Sequence, residues 1–205
     1  MKVAKSPFKK YPGNRWFIRQ VERSGSDSTI PFIHGVVRGA LASPSPVDPG
    51  AALEEILKDA DMEDFSQDDF DKLSIAFLFL WNDSARALTA SRPFPRAVSS
   101  DIRTKAGEFY VLSEAADLVD GFVRGFHLKE QPQVSRLHRT HVCLCLLRDE
   151  GDWCRLMYES PDLLEKTFPH DGFPSEVIAE TAKWIEECTR KVAVLARKEG
   201  KELRT

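Results

Sequence analysis

The chain has 205 residues, 42% hydrophobic and 30% charged, the proportions of a globular protein with a core of its own. Its formal net charge of -3 excludes the uniformly basic surface of a whole-protein nucleic-acid binder. The greasiest run, LSIAFLFLW at 73–81, is far shorter than the ~20 apolar residues of a membrane span.

The opening MKVAKSPFKK carries charge with no apolar segment after it, so it does not read as a signal peptide. Residues 1–24 hold seven Lys or Arg against Glu22 alone, a local charge of +6. Residues 1–25 are therefore expected to form a basic arm with one short helix. Asn14 is its expected cap, Phe17, Ile18 and Val21 its apolar side, and Ser24-Gly25 its stop. Asp27 or Ser28 is expected to cap the next helix, with Pro31 in the first turn, running to about Ala42. SPSPVDPG at 43–50 cannot continue a helix and reads as a rigid loop. Asp48 then caps a helix starting on Pro49, with Leu53, Ile56 and Leu57 as its stripe. From 48 to 72 the chain carries ten Asp or Glu against Lys58 and Lys72, a local charge of -8.

Ser66 and Asp69 resemble a capping box, and Phe70, Leu73, Phe77, Leu80 and Trp81 follow on one helical face. SRPFPR at 91–96 breaks the chain again. A long helix is expected from Asp101 to His127, carrying Ile102, Phe109, Leu112, Ala116, Val119, Val123 and Phe126, until Pro132 breaks the pattern. The next, VSRLHRTHVCLCLL, is expected to end at Asp149-Glu150-Gly151. Pro161 and Pro169 bracket a short helix. Ser175 caps the last, whose stripe of Val177, Ile178, Thr181, Ile185, Cys188, Val192 and Leu195 runs to Gly200. No stretch alternates apolar and polar residues around a hairpin turn. The expected fold is an all-α multihelical bundle of about eight helices, with residues 26–199 as one domain and 200–205 as a frayed basic tail.

One motif is written twice: Gly35-Val36-Val37-Arg38-Gly39 and Gly121-Phe122-Val123-Arg124-Gly125. Residues i and i+4 share a helix face, and each interior glycine costs about 1 kcal/mol relative to alanine. Close approach of two backbones offsets that cost. Gly35, Gly39, Gly121 and Gly125 are accordingly expected to be packing positions on two core helices. The rival reading is an exposed glycine groove where Arg38 and Arg124 hold an anion, but it lacks the strand–loop–helix setting of phosphate cradles.

These residues also carry a family resemblance. IHGVVRGALASPSPVDPGAALEEI resembles the signature of the YecA/YgfB-like bacterial family. LVDGFVRGFHL is similar to its second hallmark, a later helix with Gly-Phe-x-x-Gly, and RPFP and the Trp-bearing last helix fit loosely. The resemblance spans about residues 28 to 195. It departs at Val119, where members often carry Trp, and in the basic arm, and the Cys-rich metal-binding tail of some members has no counterpart. The resemblance implies a multihelical domain of regulatory function.

His138, His141 and Cys145 fall on one helical face, Cys143 does not, and Cys154 is a candidate fourth ligand. Metal sites usually take four ligands from two elements, so no metal is expected, and Cys143 and Cys145 read as small core residues. Four cysteines, two of them one residue apart, make no disulfide framework; the expected setting is the reducing cytoplasm. No Walker loop, His-Glu-x-x-His, Gly-x-Ser-x-Gly or Ser-x-x-Lys set occurs. No catalytic residue and no cofactor is assigned, and the chain is expected not to be an enzyme. The candidate partner-binding residues are Lys9, Lys10, Arg15, Trp16 and Phe17 of the arm. They fit an acidic surface: the 48–72 segment of this chain, that of a second copy in a homodimer, or an unknown protein partner. They also fit a nucleic acid, with cations on phosphates and rings on bases. The leading expectation is a non-enzymatic cytoplasmic regulator acting through protein–protein contacts. The alternative is a nucleic-acid-associated regulator using the arm.

Overall fold

Three start signals in the first half of the chain work by one device, a side-chain oxygen that accepts an otherwise orphaned backbone N–H. In the computed structural model Thr29 accepts from Phe32 N at 3.3 Å, Asp48 from Gly50 N at 2.7 Å and Ser66 from Asp69 N at 3.2 Å. The structure describes residues 7–63, 65–90, 92–98, 105–129, 138–160 and 175–202. Among them are seven helices and no strand: α1 Asn14–Arg23, α2 Ile30–Ala42, α3 Pro49–Ile56, α4 Gln67–Thr89, α5 Lys105–His127, α6 His138–Glu159 and α7 Ser175–Glu202. The class is all-α, with seven described helices against about eight expected. The short helix expected between Pro161 and Pro169 lies outside the described residues, as do residues 101–104 at the expected start of α5.

Several boundaries differ from expectation, each for a local reason. Thr29 caps α2 because Ser26 and Ser28 are used elsewhere: both hydroxyls donate to Ile56 O, at 2.8 and 2.7 Å, tying the α1–α2 link to the end of α3. Gly13, at φ 98°, occupies the cap of α1, while Asn14 turns its Oδ1 inward to accept from the Tyr11 hydroxyl at 2.9 Å. Helix α6 runs through Gly151 to Glu159. A Cβ at Gly151 would fall 2.7 Å from the Val119 side chain, so this glycine marks where α6 meets α5. Likewise α7 passes Gly200, which faces Pro44.

Two apolar clusters flank α2. Phe17, Ile33, Val37, Phe65, Leu73 and Phe77 join α1, α2 and α4 on one side. Leu112, Phe122, Leu147, Cys154 and Ile185 join α5, α6 and α7 on the other. Every residue of α2 from Ile33 to Ala40 is buried, the condition of a helix enclosed on all sides.

The helix that encloses α2 most closely is α5, and the doubled motif is their meeting line. A Cβ on Gly35 would lie within 3.0 Å of Leu118 O, and one on Gly39 within 3.0 Å of Phe122 O. Reciprocally, a Cβ on Gly121 would meet Phe32 O and one on Gly125 would meet Val36 O, again within 3.0 Å. Each glycine thus faces the carbonyl three residues before its counterpart in the other copy of the motif. The helices run parallel and contact each other with approximate two-fold symmetry. Every obstructing atom is backbone, which cannot rotate aside. Gly39→Ala or Gly125→Ala should therefore destabilise by roughly 1–3 kcal/mol, although alanine is the better helix former in isolation. Urea unfolding checks this, and an unchanged or raised midpoint would contradict it.

Candidate functional site

The arginines of the two motifs point away from the seam and end in different surroundings. Arg38 is completely buried. Its Nη2 donates to Pro95 O at 2.7 Å and its Nη1 to Thr189 Oγ1 at 3.3 Å. Glu186 Oε2 of α7 stands 3.5 Å away, and the guanidinium lies 4.9 Å from the centre of the Phe94 ring. Glu186 Oε1 accepts from Ala97 N and Val98 N at 2.7 and 2.9 Å. The Pro93-Phe94-Pro95 link is thus held by its carbonyl to Arg38 and by the following amides to Glu186. Burial lowers the Arg38 pKa, against the pull of Glu186, to about 10, so the ion pair stands at neutral pH. Arg124, its counterpart, is exposed; it lies over Phe32 and pairs with Asp120 at 3.2 Å and Glu55 at 3.6 Å. Each guanidinium has an aromatic face and a carboxylate of its own, which speaks against a shared anion site.

His34 is also fully buried. Its Nε2 sits 3.3 Å from Asn14 Oδ1, the same oxygen that accepts from Tyr11. An amide oxygen only accepts, so the network assigns the ring proton to Nε2. Burial, aided by the Arg38 charge, lowers the pKa of His34 to about 3, and the ring is neutral.

Two surface hollows are candidates for function. The first lies between α3 and the first half of α4, with a volume of about 450 Å³. Leu53, Leu57, Met62, Phe70, Phe77 and Leu78 line it, and Glu54 stands at its wall. Leu78 is 44% exposed and Met62 37%. Both turn apolar surface to solvent beside a run of acidic residues, a pattern that marks interaction sites and ligand-binding grooves. The second is a cleft of about 760 Å³ where α1, the start of α2 and α5 meet. Arg15 and Arg96 stand there among Glu22, Asp27, Glu114 and Asp117, so it presents no single sign of charge. Asp117 accepts from Thr29 Oγ1 at 2.8 Å; burial raises its pKa and that hydrogen bond opposes the rise.

The arm residues divide. Lys9, Lys10 and Arg15 are exposed. Trp16 is half-buried, edge-on to Phe8 with ring centres 4.9 Å apart. Phe17 is fully buried against Phe77 of α4, so of the readings above it suits an arm docked on its own chain, and it leaves no surface for a separate partner. One ion pair among the described residues joins arm to acidic segment, Arg23 to Asp69 at 3.2 Å, with Arg23 also over the Phe65 ring. Of the candidate ligands weighed above, His141 Nε2 and Cys145 Sγ are 3.8 Å apart on the exposed side of α6. Cys145 is thus on the surface and not in the core, and the His138 side chain lies outside the described residues. Cys154 is buried, and burial pushes its thiol up to about 12. Among the described residues, no three His, Cys, Asp or Glu side chains gather as metal ligands.

Sequence reading missed the α3–α4 groove. Its signal was Leu78, an apolar residue off the inward stripe of Leu73, Phe77, Leu80 and Trp81. Compared with known proteins, the chain matches no protein-family model, no curated protein and no solved structure.

Two outcomes follow from the buried polar groups. Arg38→Met leaves Glu186 without its cation; breaking a buried pair costs ~3–5 kcal/mol, and trypsin should then cut after Arg96 where the parent resists. Unchanged stability and resistance would contradict the clamp. For His34 the folded pKa lies below the unfolded value of 6.5. The unfolded chain therefore binds more protons in that window, and stability must fall as pH drops from 6.5 towards 3. The slope from this group is at most about 1.4 kcal/mol per pH unit. Urea unfolding at a series of pH values should show a shallower acid loss in His34→Gln than in the parent, and equal slopes would contradict the assignment.

Proposed function

We propose that this chain is a non-enzymatic protein–protein interaction module, regulatory in role, cytoplasmic and of the YecA/YgfB-like kind. The observation that carries this reading is the apolar groove between α3 and α4, open to solvent and set in the acidic segment. In the same reading the glycine-bearing helices are the scaffold's core, and Arg38 and His34 are internal supports with no reacting partner. No helix among the described residues is long and apolar enough to cross a membrane. The nucleic-acid reading has less to rest on, because the rings of the arm are engaged internally: Phe17 is buried, Tyr11 is hydrogen-bonded to Asn14 and Trp16 packs on Phe8.

A photo-crosslinking residue at position 78 tests the reading, with exposed Arg148 of α6 as the control position. The expected result in native extract is a discrete protein adduct from position 78 and none from 148. Equal labelling at both, or nucleic acid that co-purifies and is released by salt, would contradict it.

A further inference from the structure

We infer that the α3–α4 groove receives a basic amphipathic helix, an inference that rests on the reading of this groove as a docking face. The first argument is backbone chemistry. The two long walls are helices, whose N–H and C=O groups are already paired along most of their length, and the link between them adds Leu57 and Met62. No strand edge occurs among the described residues, so the groove offers no ladder for an extended peptide. An extended segment laid against Leu53, Leu57, Phe70 and Leu78 would bury its own amides unpaired, at a cost that buried polar groups rarely bear. A helix satisfies its amides internally and needs from the groove only apolar contact. Its leucine-type side chains at i, i+3, i+4 and i+7 would lie along the floor.

The second argument is charge. Among the described residues Glu54, Asp61, Glu63 and Asp71 make no ion pair. Glu54 lines the groove, and exposed Asp61 and Glu63 flank Met62 in the chain. Asp71 follows Phe70 and precedes Leu78 by two helical turns on α4. The other carboxylates of α4's first turn are occupied: Asp68 pairs with Lys72 and Asp69 with Arg23. Glu54 thus stands in the wall of an apolar trough, with Asp71 seven residues before Leu78 on the same side of α4, and like-charge repulsion in this acidic segment is relieved by lysines or arginines on the partner's flanks. Such a rim steers cationic partners and rejects anionic ones.

The test uses synthetic helical peptides on the full chain, read by calorimetry. One carries leucines at helical spacing with lysines elsewhere; the second replaces every lysine by glutamate; the third alternates leucine and lysine so that its amphipathic form is extended. The expected result is binding of the helical lysine peptide at least about tenfold tighter than either control, weakened by salt. It should be weakened by Leu78→Gln and by the pair Glu54→Gln and Asp71→Asn, all partly or fully exposed sites that leave the thermal midpoint near the parent's. Equal or better binding of the glutamate peptide, lost in Leu78→Gln, overturns the basic partner while leaving the docking face intact. Tighter binding of the alternating peptide overturns the helical one. Binding of the lysine peptide that ignores all three substitutions places it elsewhere and overturns the inference, as does failure of every peptide to bind; the crosslink at position 78 judges the docking face separately.

Discussion

Two parallel helices, α2 and α5, touch backbone to backbone along four glycines, and the rest of the fold is arranged around that contact. Four interior glycines cost about 4 kcal/mol relative to alanines. Each points a Cα–H at a carbonyl oxygen of the opposite helix, contacts worth about 0.5–1 kcal/mol apiece, so the seam comes within a few kcal/mol of neutrality before any side chain is counted. Its larger effect is geometric. Drawing α2 so close to α5 encloses it on every side, which is why it reads IPFIHGVVRGALA with no exposed charge. The one charge it carries, Arg38, is committed to the interior. A buried guanidinium needs a carboxylate and further acceptors, and Glu186, Pro95 O and Thr189 Oγ1 supply them. The clamp on the Pro93–Val98 link thus follows from the seam.

The same arrangement leaves one face unfinished. Helix α3 has 8 residues and α4 has 23, about 12 Å against about 35 Å at 1.5 Å per residue. The short helix cannot cover the apolar side of the long one. Leu78 and Phe70 of α4 are left beside Leu53, Leu57 and Met62 in an open trough. Residues 48–72 hold much of the chain's acidity and supply both α3 and the first turn of α4, so the uncovered apolar surface and the unpaired carboxylates occur together. Helix α1 covers the neighbouring part of α4 through Phe17 and Val21, with Arg23 on Asp69.

Much of this was legible in the sequence where the cause is local. Asp48 with Pro49 and Ser66 with Asp69 act as caps because both partners of each interaction lie within three residues. The reading failed where a residue's partner is distant. Ser28 looks like a cap but bonds Ile56, and Asn14 looks like a cap but serves Tyr11 and His34. Gly151 and Gly200 look like helix stops, yet they are interior glycines facing Val119 and Pro44. Nothing local distinguishes a glycine that ends a helix from one that admits a neighbour. The doubled motif was informative because it states both sides of one contact. Phe17 and Val21, four residues apart on the apolar side of α1, did signal burial, whereas the groove depended on the unequal lengths of α3 and α4.

Native-state hydrogen exchange tests the central claim about the seam most directly. If the α2–α5 contact organises the fold, amides of residues 34–40 and 119–126 should exchange only through global unfolding, with protection equal to the full unfolding free energy. The amides of α3 and the exposed turns of α6 should open earlier. Exchange in the seam that is faster than in α4 or α7, or that occurs by sub-global opening while those helices stay protected, would contradict the account.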